Sequence, residues 1–180
     1  MLPLVQGQLD GFCGLYAITN AARLINRMTQ DQAANLFQKI FGMTQARKAR
    51  PGQILKGLSN GDMGYLLGGV VRKEYRIKAS RPFPKAEGVT LEAYWGRLQG
   101  FLAGKPNRAV IAVVEGEGWS HWTVVRRVTP KTLVLFDSSQ SRRINRKDCT
   151  IRKPRKVRPV LIYPTMTHFL SREEAQGHPS

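Results

Sequence analysis

The sequence has little negative charge, with 12 Asp and Glu against 29 Lys and Arg among its 180 residues. The formal net charge of +17 attracts polyanions, which include nucleic acid, anionic membrane surfaces and acidic proteins. Cysteine and histidine are also scarce, with only Cys13, Cys149 and three scattered histidines. These counts exclude a disulfide scaffold and a four-ligand zinc site, although a single bridge between the two cysteines stays open. We therefore expect no metal and no cofactor.

Long hydrophobic runs are missing as well. No stretch reaches the roughly 18 apolar residues that a membrane-spanning helix needs, and the N-terminus lacks the basic and apolar regions of a signal peptide. We expect a cytoplasmic protein without a membrane span, or one that is exported or injected without a cleaved signal. The 42% of apolar residues is enough for a core, and the length fits one domain of ordinary size.

The first half of the chain has the apolar spacing of helices. We predict a first helix over residues 13–28 and a second that begins at Thr29, with Gln32 as its capping-box partner. Residues 42–61 are rich in Gly, Lys and Arg and are predicted to form a loop. Further helices are expected over residues 62–71 and 91–102.

The second half has the pattern of strands. Residues 74–79 alternate in polarity, and residues 109–115, 121–128, 132–137 and 160–163 are further strand candidates, the middle pair forming a hairpin. Helices followed by a mostly antiparallel sheet define an α+β fold. We expect one domain over residues 1–164 and a loosely attached tail over residues 165–180.

Three residues form a candidate catalytic set. Cys13 stands where an extended segment becomes a helix, and the positive end of the helix dipole favours a thiolate there. His121 lies in a strand and can exchange a proton with the thiol, while Asp137 ends the paired strand and can fix the imidazole tautomer. A lone cysteine is usually a buried hydrophobe, but the joint pattern favours one site. Cys149 has no nearby histidine and is interpreted as structural.

Other residues can complete such a site. An oxyanion needs hydrogen-bond donors, for which we predict the Cys13 N–H and the side-chain amide of Gln8, with Gln6 as the alternative. Gly14 is expected to allow close approach of a substrate backbone. The residues around His121 are predicted to wall the cleft or shield the His–Asp pair, namely Trp119, Ser120 and Trp122.

The order Gln–Cys–His–Asp resembles the papain-like cysteine peptidase superfamily over roughly residues 6–140. The stretch from Gln8 to Asn20 resembles the nucleophile helix of Josephin-type deubiquitinases, in which a Gln stands five residues before the Cys, and His121 to Arg126 resembles their His strand. Small bacterial exporter-type peptidases share the Gln…Cys-Gly and His…Asp features. The resemblance implies a helical lobe led by the Cys helix, a sheet lobe carrying His and Asp, and thiol hydrolysis of an amide, peptide or isopeptide bond in a protein or peptide substrate.

Two alternative functions stay open. The same machinery performs glutamine deamidation and transglutamination in papain-fold effector toxins. A protein of another class, a non-catalytic basic adaptor, would bind an acidic protein or nucleic acid. The segment from Arg142 to Arg158 is the predicted contact for such a partner, because it has nine Lys and Arg in seventeen residues. A solvated loop between strands is the alternative interpretation of this segment.

Overall fold

The computed structural model of the chain describes residues 1–6, 11–47, 57–154 and 156–173. Helices occupy the first half of these residues, and one further helix precedes the main strands. Their bounds are α1 Cys13–Asn26, α2 Gln30–Arg47, α3 Asn60–Leu66, α4 Arg72–Tyr75 and α5 Leu91–Leu102. A wide turn over Leu67–Val71, kinked at Gly69, joins α3 to α4.

Helix caps explain where these elements begin. Thr29 and Gln32 form the predicted capping box, because each backbone N–H bonds to the other residue's side chain. Ser59 and Asp62 form a second capping box, so α3 begins at Asn60 and not at the predicted residue 62. The loop predicted from residue 42 is wrong as far as Arg47, where α2 ends.

The strands of the described residues form one sheet of antiparallel pairs, with a single parallel pair between Cys149–Thr150 and Val160–Ile162. Its order is β1-β8-β2-β3-β4-β5, with β7 pairing both β2 and β6. This confirms the α+β class. The bounds are β1 Ile77–Ser80, β2 Arg108–Gly116, β3 Trp119–Val128, β4 Thr132–Leu135, β5 Arg143–Asn145, β6 Cys149–Thr150, β7 Val160–Ile162 and β8 His168–Arg172.

The prediction of a loose tail is wrong for β8. This strand is inserted between β1 and β2 and pairs antiparallel with both, and its Leu170 is fully buried. The strand predicted at residues 74–79 begins later than expected, at Ile77. Tyr75 still belongs to α4, and Arg76 ends that helix in the left-handed conformation before β1 starts. Residues 174–180 lie outside the described part of the chain.

The sheet separates two hydrophobic cores. On one face α1, α2 and α3 pack against side chains such as Ile111, Trp122 and Leu170. On the other face α5 packs through Trp95 and Leu98 against Val110, Val125 and Phe169. Alternate residues of a strand point to opposite faces, so each central strand contributes to both cores. Within the described ranges, no helix combines the length and the apolar character needed to cross a membrane.

Candidate active site

Cys13 is the first residue of α1 and is partly exposed. The preceding residue, Phe12, has no polar side chain, and no side chain caps the helix at this position. Most helices place Ser, Thr, Asp or Asn there to bond the free N–H groups of the first turn. The Phe12 side chain therefore does not compete with an oxygen that approaches Cys13 for the first N–H groups of α1.

Asn20 and Ser138 hold the N-terminal segment that leads toward Cys13. The Asn20 side chain accepts from the Leu4 N–H at 2.7 Å and donates to the Leu4 carbonyl at 3.0 Å. The Gln6 N–H donates to the Ser138 carbonyl at 3.0 Å, and the Ser138 hydroxyl donates to the Gln6 side-chain oxygen at 3.4 Å. The segment is therefore tied both to α1 and to the residue that follows Asp137.

His121 and Asp137 meet as the hairpin spacing predicts. Nε2 of His121 lies 3.0 Å and 3.2 Å from the two carboxylate oxygens of Asp137. Although β4 ends at Leu135, the Phe136 N–H still donates to the Val124 carbonyl at 2.8 Å. This bond extends the pairing of β3 by one residue and carries Asp137 to the side of His121.

Asp137 is held by the serine two residues later. Its carboxylate accepts the Ser139 N–H at 3.0 Å and also the Ser139 hydroxyl. This is an Asx turn, in which an Asp bonds the backbone two residues on. Sequence reasoning missed Ser139, although an Asp-Ser-Ser run directly after a strand is the signal for such a turn. The side chain of Asp137 is only 1% exposed, so these bonds fix its position.

In the His121–Asp137 pair, hydrogen bonds and opposite charges together shift both pKa values further than burial shifts them in the other direction. Burial lowers the pKa of His121, but hydrogen bonds to Asp137 and Cys13, together with the negative charges of both partners, raise that pKa to about 9. Burial likewise raises the pKa of Asp137, but bonds from His121 and Ser139 reverse this and lower the pKa below its ordinary value. The arrangement favours an imidazolium beside a carboxylate.

Cys13 lies close enough to His121 to raise the pKa of the imidazole through hydrogen-bonding and charge effects. Since Nε2 faces Asp137, Nδ1 is the ring nitrogen left for the thiol. The structure thus brings together the three residues of the predicted set, one from a helix start, one from a strand and one from the turn after the next strand. No element supplies more than one of them.

Gly14 and Trp122 serve packing and not a cleft. Gly14 is buried, and a Cβ at this position would lie 2.9 Å from the side chain of Leu58. Trp122 is buried among the residues that pack on α1, and its Nε1 donates to the Leu58 carbonyl at 2.9 Å. Trp122 therefore does not wall an open cleft, and Leu58 fills the space over Gly14 where a substrate backbone was expected to approach. Instead, Leu58 connects the residue after Cys13 to the residue after His121.

Trp119 and Ser120 are both exposed, on the strand that carries His121. The Trp119 side chain is 48% exposed, and its indole covers Gly116, where a Cβ would lie 2.4 Å away. Both residues line a cavity of about 470 Å³ that also reaches His121 and Asp137. Besides Trp119, the apolar lining of this cavity comes from four strand residues, Val114, Leu135, Ile144 and Val160.

Of the two glutamines predicted as oxyanion donors, Gln6 is among the described residues. Gln8 lies outside the described residues, and Gln6 is bonded to Ser138 as described above. The basic segment from Arg142 to Arg158 contributes Arg143 to the rim of the cavity, and Arg155 within it is outside the described residues. Throughout the described ranges, no group of three or more His, Cys, Asp or Glu side chains is arranged to hold a metal ion.

Cys149 differs from Cys13 in its burial and its hydrogen-bond partner. Both thiols are free, which removes the single disulfide as an alternative. Cys149 is fully buried, and its Sγ donates to the Asn145 carbonyl at 3.1 Å. Burial, with a smaller effect of Asp148, raises the pKa of this thiol to about 12.

Comparison with protein-family models and with curated proteins finds no match to this chain.

Proposed function

We propose that this protein is a cysteine hydrolase that cleaves an amide, peptide or isopeptide bond in a protein or peptide substrate. The observation that carries the proposal is that three separate parts of the chain place Cys13 beside His121 and hydrogen-bond His121 to Asp137. Structural ion pairs also shift pKa values, but such pairs do not need a partly exposed thiol at an uncapped helix start.

The proposed reaction follows from the geometry. With a pKa of about 9, His121 carries a proton at neutral pH. In the proposed reaction its partner is the thiolate form of Cys13. The thiolate attacks the substrate carbonyl carbon, a C–S bond forms, and the oxygen takes the negative charge near the first N–H groups of α1. His121 then donates its proton to the leaving nitrogen as the C–N bond breaks.

Water completes the cycle. It attacks the resulting thioester while His121 accepts a water proton, and the C–S bond breaks to return the thiolate and release the acid. Asp137 holds His121 in the required orientation and stabilises its charged form throughout both steps. The second oxyanion donor that we propose from the sequence is the side-chain amide of Gln8, with Gln6 as the alternative.

A papain-like arrangement is the fold interpretation that accompanies this proposal. The elements are in the expected order, with a helical part led by α1, followed by an antiparallel sheet that carries His121 and Asp137. Deamidation and acyl transfer share the thioester, so a deamidase or transglutaminase-type effector is the closest alternative. The rival of another class, a basic adaptor without catalysis, does not explain why a partly exposed thiol lies beside the His121–Asp137 pair.

Electrophile-tipped substrates test the proposal directly. We expect short peptides or ubiquitin-like proteins with a C-terminal electrophile to form an adduct on Cys13, detected by intact mass and peptide mapping. Cys13→Ala should abolish the adduct, and Cys149→Ala should leave it unchanged. Glutamine-containing peptides incubated with and without an added amine distinguish hydrolysis, deamidation and acyl transfer by product mass. Equal slow labelling of both cysteines by every electrophile would contradict the proposal.

A further inference from the structure

A second surface, far from Cys13, is a groove lined mostly by basic residues. It is a concavity of about 800 Å³, called here the basic groove, and six of its nine lining residues are basic: Arg72, Arg76, Lys78, Lys105, Arg108 and Arg172. We propose that the basic groove binds the phosphate backbone of nucleic acid without reading its sequence.

The sheet register explains how cations distant in sequence meet. Lys78 of β1 and Arg108 of β2 are both aligned with Ser171 of β8, which lies between them. Aligned residues on neighbouring strands point to the same face, so these two cations flank one serine hydroxyl. The next residue, Arg172, points to the opposite face because side chains alternate. The groove therefore passes around the end of the sheet.

The positive charge of the basic groove is neutralised by few acidic side chains within it. Glu173 is the single acid among the described lining residues, and it is occupied by Arg72 at 3.1 Å. Clustered cations in a concavity repel one another, and the low-dielectric walls concentrate their field on any anion that enters. An anion with several charges removes this repulsion more fully than a single small ion does.

Arg76 gives an independent indication. It ends α4 with φ of 54°, in the left-handed region where glycine is the usual residue. An arginine there costs backbone energy that a glycine would avoid. Its side chain lines the basic groove and also the adjoining concavity beside Asn26 and Tyr75. Arg27 ends α1 with the same φ of 54°, so Arg76 matters through its side chain, which connects the two concavities.

The lining of the groove favours nucleic acid over an acidic protein. None of the nine lining residues is apolar, whereas protein–protein contacts have an apolar centre and nucleic-acid contacts are polar and positively charged. Four of the six cations are arginines, whose planar forks suit phosphate oxygens. The absence of aromatic rings among these nine residues leaves no platform for base stacking, so the backbone is the part that is recognised.

The groove is also extended, as a linear polyanion requires. It shares Arg76 and Arg172 with one adjoining concavity and Arg72 and Lys78 with another. Asn26, the last residue of α1, donates to the Tyr75 carbonyl at 2.8 Å, so this surface lies at the opposite end of α1 from Cys13. A helix of 14 residues is about 20 Å long, so binding here does not depend on the proposed chemistry.

Fluorescence anisotropy with a labelled 20-base-pair DNA duplex and the matching single strand tests the proposal. The groove variant carries Arg76→Gln, Lys78→Gln and Lys105→Gln, all at exposed positions. The control variant removes the same charge from the basic segment through Lys147→Gln, Lys153→Gln and Lys156→Gln. We expect the groove variant to bind at least tenfold more weakly and its log–log salt slope to fall by about 2 to 3. The control variant should stay within about threefold of the unaltered chain.

Several outcomes would overturn the proposal. Equal losses in the two variants would mean that binding follows overall charge, and a loss confined to the control variant would assign it to the basic segment. Absence of binding by the unaltered chain at low salt excludes the groove as a nucleic-acid site. Competition by poly-glutamate as strong as that by DNA would identify an acidic protein as the partner. Cys13→Ser should bind DNA normally, which separates this result from a failure of the proposed hydrolase function.

Discussion

At the scale of single residues, the two cysteines show how environment decides what a thiol can do. Cys13 is partly exposed at a helix start beside His121, whereas Cys149 is buried and donates its proton to a backbone carbonyl. The sequence predicted this difference. Cys13 stands at a helix start and could be matched with His121 and Asp137 at the two ends of a hairpin, whereas Cys149 has no nearby histidine. The packing role of Gly14 could not be predicted, since Leu58 is distant in sequence and meets it only in the folded chain.

Alkylation kinetics should separate the two thiols. We expect iodoacetamide to modify Cys13 at least about 100-fold faster than Cys149 at neutral pH, because the thiolate is the reactive form and the Cys149 pKa is about 12. His121→Ala should remove most of this difference by removing the partner of the Cys13 thiol. Rates follow from mass spectrometry of timed, quenched samples. A fast reaction at Cys13 that survives His121→Ala would contradict the assigned pair.

The raised pKa of His121 predicts a loss of stability in mild alkali. The folded-state pKa of about 9 is above the ordinary 6.5, so the stabilisation is complete below pH 6.5 and is lost as the pH rises through 9. We expect the free energy of unfolding in urea to fall by on the order of 2–3 kcal/mol between pH 6 and pH 9. In His121→Gln, most of this fall in the free energy of unfolding between pH 6 and pH 9 should be absent. An equal pH dependence in both proteins would show that His121 is not the titrating group.

His168 predicts the opposite sign in mild acid. It is buried with Nε2 at 2.9 Å from Asn60 Oδ1, and burial, with the nearby positive charge of Arg81, lowers its pKa to about 4. Because the unfolded chain takes up this proton first, the stability should decrease as the pH falls from 6.5 to 4, by on the order of 2–3 kcal/mol. Urea unfolding of His168→Gln should lack most of this decrease, whatever the intrinsic cost of the substitution at pH 7.

At the scale of elements, Leu58 connects the helix that carries Cys13 to the strand that carries His121. Its side chain fills the space over Gly14, and its carbonyl accepts the indole N–H of Trp122. The sequence predicted α1 and β3 from their periodicity, because one buried stripe or one alternating run is a local property. It could not predict their mutual position, which depends on a residue between α2 and α3 where the chain has no periodic pattern.

Trp122→Phe tests this connection. Loss of the indole N–H leaves the buried Leu58 carbonyl unpaired, so we expect a cost of about 1–3 kcal/mol in the free energy of unfolding. Hydrolase or labelling activity at Cys13 should fall as well, because the distance between α1 and β3 is less well fixed. The matched control is Trp119→Phe, the same change on an exposed side chain of β3, with an expected stability effect below about 0.5 kcal/mol. Similar losses at both positions would contradict the role assigned to Leu58.

At the scale of the whole molecule, β8 completes the sheet. It is the sole strand partner of β1 in the described pairing and also pairs β2, so the sheet edge beyond β2 depends on it. Sequence analysis placed the α+β class and most strands correctly but assigned β8 to a loose tail. Its five residues contain polar groups at three positions and show no clear alternation, so the local pattern could not reveal a strand whose stability comes from neighbours on both sides.

Substitution in β8 should therefore affect the whole fold. Leu170 is fully buried between the elements that cover one sheet face, and Leu170→Ala should cost about 2–5 kcal/mol in the free energy of unfolding. Ser171→Ala on the same strand removes no buried apolar volume and should cost less than about 1 kcal/mol. Urea denaturation followed by circular dichroism measures both. Similar small effects at the two positions would mean that β8 is not an integral strand.

The position of β8 in the sheet has a consequence for how the protein is made. Strand β1 leaves the ribosome well before β8, and in the described sheet it has no other strand to pair with. Until residue 172 has been synthesised, the chain exposes an unpaired edge on β2 and the apolar surface that Leu170 later covers. Non-local closure of this kind is slow and favours aggregation of the partly made chain. A reduced translation rate or temperature during expression should therefore change the soluble yield. This change should depend more on the late pairing of β8 than on the helices that precede it.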